Sequence, residues 1–347
     1  MSALKVALLS VGGQDDHRCG EFDDGDASDR VRGLSLLAGS KSSELPNAAD
    51  ECVSSFSPVP LSQGEYGNPD LIVRRSSVLK LVVDVGAAEG VDLSTNALTI
   101  QPKAGWRNGS FFFPSSAALE DGGCATTASS ATSVSVQVLL PANMAVGEYT
   151  LQVHLGGQQK TASLAQPEPM MILFNPWSEE TEEHIPDEEA CDEYVMNEDG
   201  LAHYGTWHRS GRMAWNYGQF EPACLAAARK ILSHLSVADR STPASLARAV
   251  TRAINHQGGG GVLTGNWSGD YVGEGERPED PNADWRSEDD RNHPANAQPP
   301  THWNGSPAIL KQWVQTNAPV AYGQCWVFAG ITTTILRTIG CVYPSSS

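Results

Sequence analysis

A chain of 347 residues, 40% hydrophobic and 18% charged, has room for two domains and is too apolar for a disordered polymer. Its formal charge of -18 disfavours nucleic acid and anionic membranes as partners, because their phosphates would be repelled. The seven cysteines include no CxxC pair and no zinc spacing, which reads as reduced thiols in a cytosolic protein, and no run is long enough to span a bilayer.

The chain opens on a short apolar run with one lysine, Lys5, then polar Gln14, Asp15 and Asp16. An opening β-strand is the favoured reading and a weak signal peptide the alternative. Up to residue 70, Ser, Gly and Asp dominate, with an acidic stretch at 21–29, and long loops are expected. From Asp70 the pattern sharpens. Residues 71–75, 78–85 and 98–100 read as strands, and 133–138 and 147–153 alternate with period two, so one face is buried and one is wet. Strands at this density, separated by Gly, Pro and Ser turns, predict an immunoglobulin-like β-sandwich over residues 1–166.

A boundary is expected near Gln166-Pro167-Glu168-Pro169, with a second domain over 170–347. It would open on an apolar strand, 170–174, closed by a turn at Asn175-Pro176-Trp177. The acidic run at 179–199 reads as a solvated loop and helix face, with a cation-binding surface as the alternative. Helices are expected over 224–235 and 242–253, where Pro243 suits the first helical position. The glycines at 258–261 read as a turn, since no Lys-Ser/Thr follows to make a phosphate-binding loop. Residues 268–300, rich in Asp, Glu, Pro and Asn, are expected to form a mobile loop, and a helix is expected over 308–313.

The chain then reaches Tyr322-Gly323-Gln324-Cys325-Trp326-Val327-Phe328-Ala329. Beyond Cys325 the apolar side falls at Phe328, Ala329, Thr332, Ile335, Leu336 and Ile339, which is helical spacing, with Gly340 as a stop. A thiol on the first turn of a helix feels the positive end of the dipole and unpaired backbone N–H groups, and both favour the nucleophilic thiolate. A buried core cysteine is the bland alternative. Position, the flanking Gly323-Gln324 and the aromatic pair Trp326 and Phe328 favour a nucleophile.

This segment resembles the active-site segment of the animal-type, calcium-dependent transglutaminases. Papain-like peptidases share the Cys-Trp-x-Phe core but place an oxyanion-stabilising Gln six residues before the Cys, where this chain has Pro319. The resemblance extends in patches over about 65–340: to Asp70 through Arg75, to Val146-Gly147-Glu148-Tyr149, to Ile172 through Trp177, to Asp192 through Met196 and to Trp215 through Glu221. It implies an amino-terminal sandwich followed by the first part of an α/β, cysteine-protease-like core. It further implies acyl transfer from a protein glutamine to a lysine amine through a thioester on Cys325. Val262-Leu263-x-Gly265-x-Trp267 matches the family segment that carries the oxyanion tryptophan, so Trp267 and the backbone N–H of Cys325 would stabilise the tetrahedral oxyanion. Gln324, Trp326 and Trp303 would pack near the site or line its tunnel.

Three departures shape the expectations. The family's catalytic His and Asp lie beyond its Cys, whereas all nine histidines here precede Cys325 and none stands in a matching motif; His302, beside Trp303, is the one worth testing. The family's calcium site before the tryptophan segment draws on several Asn and Asp oxygens, and here only Asn255 and backbone carbonyls remain, so calcium binding is expected to be weak or absent. The end, from Cys341 to Ser347, departs from the family's continuation, which reads as a truncated or alternatively spliced chain with little turnover of its own. The expected partners are proteins bearing glutamine and lysine, or small amines, with no nucleic acid and no membrane span. The expected location is cytoplasmic, or outside the cell by a route without a signal. Two alternatives stay open: a non-catalytic isoform that binds through its sandwich, and a papain-like peptidase or glutamine deamidase.

Overall fold

The computed structural model describes residues 5–12, 71–84, 96–106, 109–114, 123–129, 133–155, 162–165, 169–206, 208–256, 261–268 and 297–341. The expected long loops before residue 70, the acidic stretch at 21–29, the glycine turn at 258–260 and most of the loop at 268–300 lie outside the described residues. Chain contacts divide the molecule into two compact units: residues 1–187 with 236–243, and residues 188–235 with 244–347.

The first unit is built of strands. One sheet holds β1 (Lys5–Gly12), β3 (Val78–Asp84), β7 (Ser133–Leu139) and β6 (Cys124–Ser129) in that order, all antiparallel. The other runs β2 (Leu71–Arg74), β10 (Met170–Leu173), β8 (Gly147–Leu155), β4 (Asn96–Pro102) and β5 (Phe111–Phe113), with β9 (Ala162–Ala165) also paired to β8. Period-two alternation decides the faces. Leu79 lies opposite Val138 and Leu81 opposite Val136 in one sheet, while Leu98 faces Val153 and Ile100 faces Leu151 in the other. All eight are buried in one shared cluster, where each such side chain contributes about 1.5–3 kcal/mol.

Two sequence expectations change here. Met170–Leu173, read as the first strand of the second domain, instead pairs parallel with β2 and antiparallel with β8 in the first unit's sheet. The acidic run is not uniformly solvated. Glu183 is buried and pairs with Arg75, also buried, through both carboxylate oxygens, and accepts the Asn175 N–H at 2.8 Å. Arg75 can be buried because its remaining donors reach the carbonyls of Met144 and Ser241.

In the second unit a hairpin of β11 (Asp199–Thr206) and β12 (Arg209–Asn216) is followed by helices Pro222–His234 and Pro243–Ile254. Two short strands, β13 (Leu263–Gly265) and β14 (Val320–Gly323), pair in parallel. Helix Ser306–Thr316 precedes β14, and helix Cys325–Thr338 follows it. The helices read from sequence at 224–235, 242–253, 308–313 and beyond Cys325 all form. The hairpin was not legible. Its residues alternate only loosely, with His203 and Arg212 facing each other on an exposed side. Among the described residues no helix is long and apolar enough to cross a membrane.

Candidate active site

Cys325 is the first residue of its helix and is exposed, whereas Cys124, Cys191, Cys224 and Cys341 are buried. Gln324 is the extended residue before it, and its carbonyl accepts the N–H groups of Val327 and Phe328. The N–H groups of Cys325 and Trp326, at the very start of the helix, have no intrahelical carbonyl to reach. Among the described residues no side chain hydrogen-bonds the Cys325 thiol.

The helix is fixed from its far end. The Oγ1 of Thr334 donates to the Tyr217 carbonyl at 3.1 Å and that of Thr338 to the Gln219 carbonyl at 3.2 Å. The Arg337 guanidinium donates to the Asn197 carbonyl and lies over the Tyr217 ring. Gln219 is fully buried and donates its amide to the carbonyls of Val195 and Asn197. At mid-helix the chain approaches Trp215 so closely that a Cβ on Gly330 would stand 2.4 Å from its ring. The Trp215 N–H in turn reaches the Ser306 hydroxyl at 3.0 Å.

Strand β14 leads into Cys325 and is held on both edges. Val320 and Ala321 pair with Leu263 and Thr264 of β13. On the other edge Gln298 donates to Ala321 and accepts from Tyr322. This pairing carries the tryptophan segment to the cysteine segment. Beyond Gly265 the chain folds back, and the Trp267 ring lies where a Gly265 side chain would be, 2.2 Å from the Cβ position. The Trp267 ring stacks on Phe328 with centroids 6.1 Å apart and planes within 3°. Phe328 is one turn along the helix from Cys325, and Trp267 remains 62% exposed. On the other flank Tyr204 of β11, 42% exposed, leans on Trp326 with centroids 5.6 Å apart. Trp326 and Phe328, one and three residues along the helix from Cys325, are thus each paired with an aromatic ring from outside the helix.

The other sequence-named residues have different placements. The Trp303 ring is buried and its N–H donates to the Tyr322 carbonyl at 2.9 Å, so it braces β14 and has no donor to spare. Trp326 is half-buried, and its ring N–H is buried without a hydrogen-bond partner among the described residues. His302 is exposed and meets Trp303 edge-on. Asn255 is exposed and bridges to Leu263 through the backbone. Among the described residues no group of three or more His, Cys, Asp or Glu could hold a metal ion. Tyr204 and Asn266 were missed from the sequence, because Tyr204 lies in no motif, Asn266 fills an unspecified position of one, and only the fold brings them to Trp326 and Gln324.

No protein-family model matches the chain. Among curated proteins, the protein-glutamine gamma-glutamyltransferase E of Bos taurus is 32% identical over 289 residues, covering 79% of this chain and 38% of the relative. The protein-glutamine gamma-glutamyltransferase 2 of Pagrus major is 35% identical over 211 residues, covering 58% of this chain and 27% of the relative. The protein-glutamine gamma-glutamyltransferase 5 of Homo sapiens is 36% identical over 220 residues, covering 60% and 27%. The crystal structure of red sea bream transglutaminase superposes with a TM-score of 0.59 at 27% identity, over 78% of this chain and 38% of that one. The chain therefore spans well under half the length of these relatives. Sequence and fold agree over that span, and the chain belongs to the animal-type transglutaminase family.

Proposed function

We propose that this chain carries the glutamine-accepting site of a protein-glutamine γ-glutamyltransferase. One observation carries the reading: parallel pairing of β13 with β14 brings the Trp267 ring onto Phe328, one turn from an exposed cysteine at a helix N-terminus. The Cys325 thiolate attacks the γ-carboxamide carbon, and the carbonyl electron pair becomes an oxyanion. The Cys325 N–H and the Trp267 indole N–H are the donors proposed to receive that charge. Collapse breaks the C–N bond, and the leaving nitrogen takes up one proton, equivalent to that lost from the thiol, and departs as ammonia, giving a thioester. An amine then attacks, the C–S bond breaks, and the thiolate returns while the amine nitrogen loses a proton. Water in place of the amine gives glutamate.

The same reading covers the rest of the chain. Two sheets over one buried cluster support an immunoglobulin-like β-sandwich as the first unit. The scattered cysteines, with no CxxC pair among them, support a cytoplasmic protein. Calcium is the family's cofactor by resemblance; it takes six to eight oxygens, and among the described residues no group of three or more His, Cys, Asp or Glu stands near Asn255 to supply them. Weak or no calcium binding is proposed there, and calorimetry showing a tight stoichiometric site would prove otherwise. The proposed substrates are proteins presenting glutamine, with protein lysines or small amines as acceptors.

The test uses the whole chain with a glutamine-bearing donor peptide, followed by mass spectrometry of Cys325 and by ammonia release with and without a fluorescent amine. The expected result is an acyl adduct on Cys325, lost in Cys325→Ala, with slow transfer to the amine. Slow transfer is expected because none of the described histidines hydrogen-bonds the thiol, and general acid–base help is worth ~100- to 10,000-fold. Cleavage of the peptide backbone would favour the peptidase reading. No adduct at all would favour a binding role.

A further inference from the structure

The geometry points to Gln324 as a positioning residue that sets the spacing between the thiol and the Trp267 indole, an inference that rests on the reading just proposed. The register of β13 and β14 slips beside the site: Thr264 faces Ala321, but the next pair is Gly265 with Gly323, so Tyr322 is skipped. Backbone pairing alone leaves the two segments loosely matched at that point. Two further hydrogen bonds close the gap. The Asn266 N–H donates to the Gly323 carbonyl at 3.1 Å, and the Gln324 side-chain amide donates to the Asn266 carbonyl at 3.0 Å. Asn266 directly precedes Trp267, and Gln324 directly precedes Cys325.

The turn beyond is held as well. The Asn266 side-chain oxygen accepts the Ser268 N–H at 2.9 Å and its hydroxyl at 2.7 Å. Asn266 is therefore fixed toward both neighbours, and the Gln324 amide ties that fixed turn to the nucleophile. The glutamine touches neither the substrate carbonyl nor the thiol in this scheme. It acts through the placement of Trp267 over Phe328, and a shift of about 1 Å in such a donor can cost ~100-fold in rate.

Two reactions of Cys325 separate this role from general support. Acylation by p-nitrophenyl acetate passes through an oxyanion, whereas alkylation by iodoacetamide is a direct displacement that forms none. In the full chain, Gln324→Glu removes the donor while keeping the shape, and Gln324→Met removes it without adding charge. Both are expected to slow the acylation burst ~10- to 100-fold while alkylation stays within about threefold. In a Trp267→Phe background Gln324→Met should have little further effect, because both substitutions remove the same placed donor. An unchanged burst, or an equal fall in both reactions, would overturn the inference while leaving the nucleophile reading standing. A burst that survives Cys325→Ala in the unsubstituted chain would overturn that reading and this inference together.

Discussion

At the scale of single residues, the roles of Trp267 and Cys325 can be separated from mere packing. Trp267→Phe keeps a ring to stack on Phe328 and loses the N–H. Acylation of Cys325 is expected to fall ~100- to 1000-fold, with alkylation nearly unchanged, as measured by burst kinetics. A comparable loss of alkylation would mean the ring only supports the helix. The buried thiol of Cys124 makes a second prediction. Burial pushes it from its ordinary 9.0 up to about 11, against smaller lowering by backbone hydrogen bonds. The raised value means the folded state holds the proton more tightly than the unfolded chain. Its contribution to stability is full below pH 9.0 and is lost as pH rises through about 11. Denaturation midpoints of the first unit should drop over that window, and Cys124→Ala should flatten the drop. Cys325 and Trp267 were legible as candidates because each sits in a short motif. The Gln324 latch and Tyr204 were not, because the groups they meet, Asn266 and Trp326, are distant in sequence.

At the scale of elements, the Cys325 helix is aimed by contacts along its length. Gly330 lies against Trp215, which is 1% exposed and hydrogen-bonded to Ser306. A side chain there must displace the indole or the helix. Gly330→Val is expected to destabilise the second unit by about 1–3 kcal/mol, and more if the ring cannot move. Thermal unfolding followed by near-ultraviolet circular dichroism would check it, and an unshifted midpoint would show that the contact is soft. The strands of the first unit were readable where alternation is strict, as in β7 and β8. β5, β6 and β9 escaped because Phe111–Phe113 has no alternation and Cys124–Ser129 and Ala162–Ala165 are built of small or polar residues. Met170–Leu173 was legible as a strand but not as a member of the first sheet. A strand buried throughout, with no polar face, gives no sign of which neighbours it joins.

At the scale of the whole molecule, a charge of -18 favours cationic amines near the protein over neutral ones. The second-order rate of aminolysis of the acylated chain by a cationic diamine should fall as salt rises from ~0.01 M to ~0.15 M, where the screening length shrinks from about 30 to about 8 Å. Hydroxylamine, which is neutral at the pH 7 to which the charge of -18 refers, should show little dependence, and equal salt effects on both would remove steering from the account. The parallel pairing of β13 with β14 has one more consequence. The tryptophan and cysteine halves of the site are joined by strand hydrogen bonds and by the Gln324 amide on the Asn266 carbonyl, not by adjacent chain. A chain opened at a single engineered protease site between residues 268 and 297 should therefore stay together as two noncovalent fragments, still acylate Cys325, and separate only in denaturant.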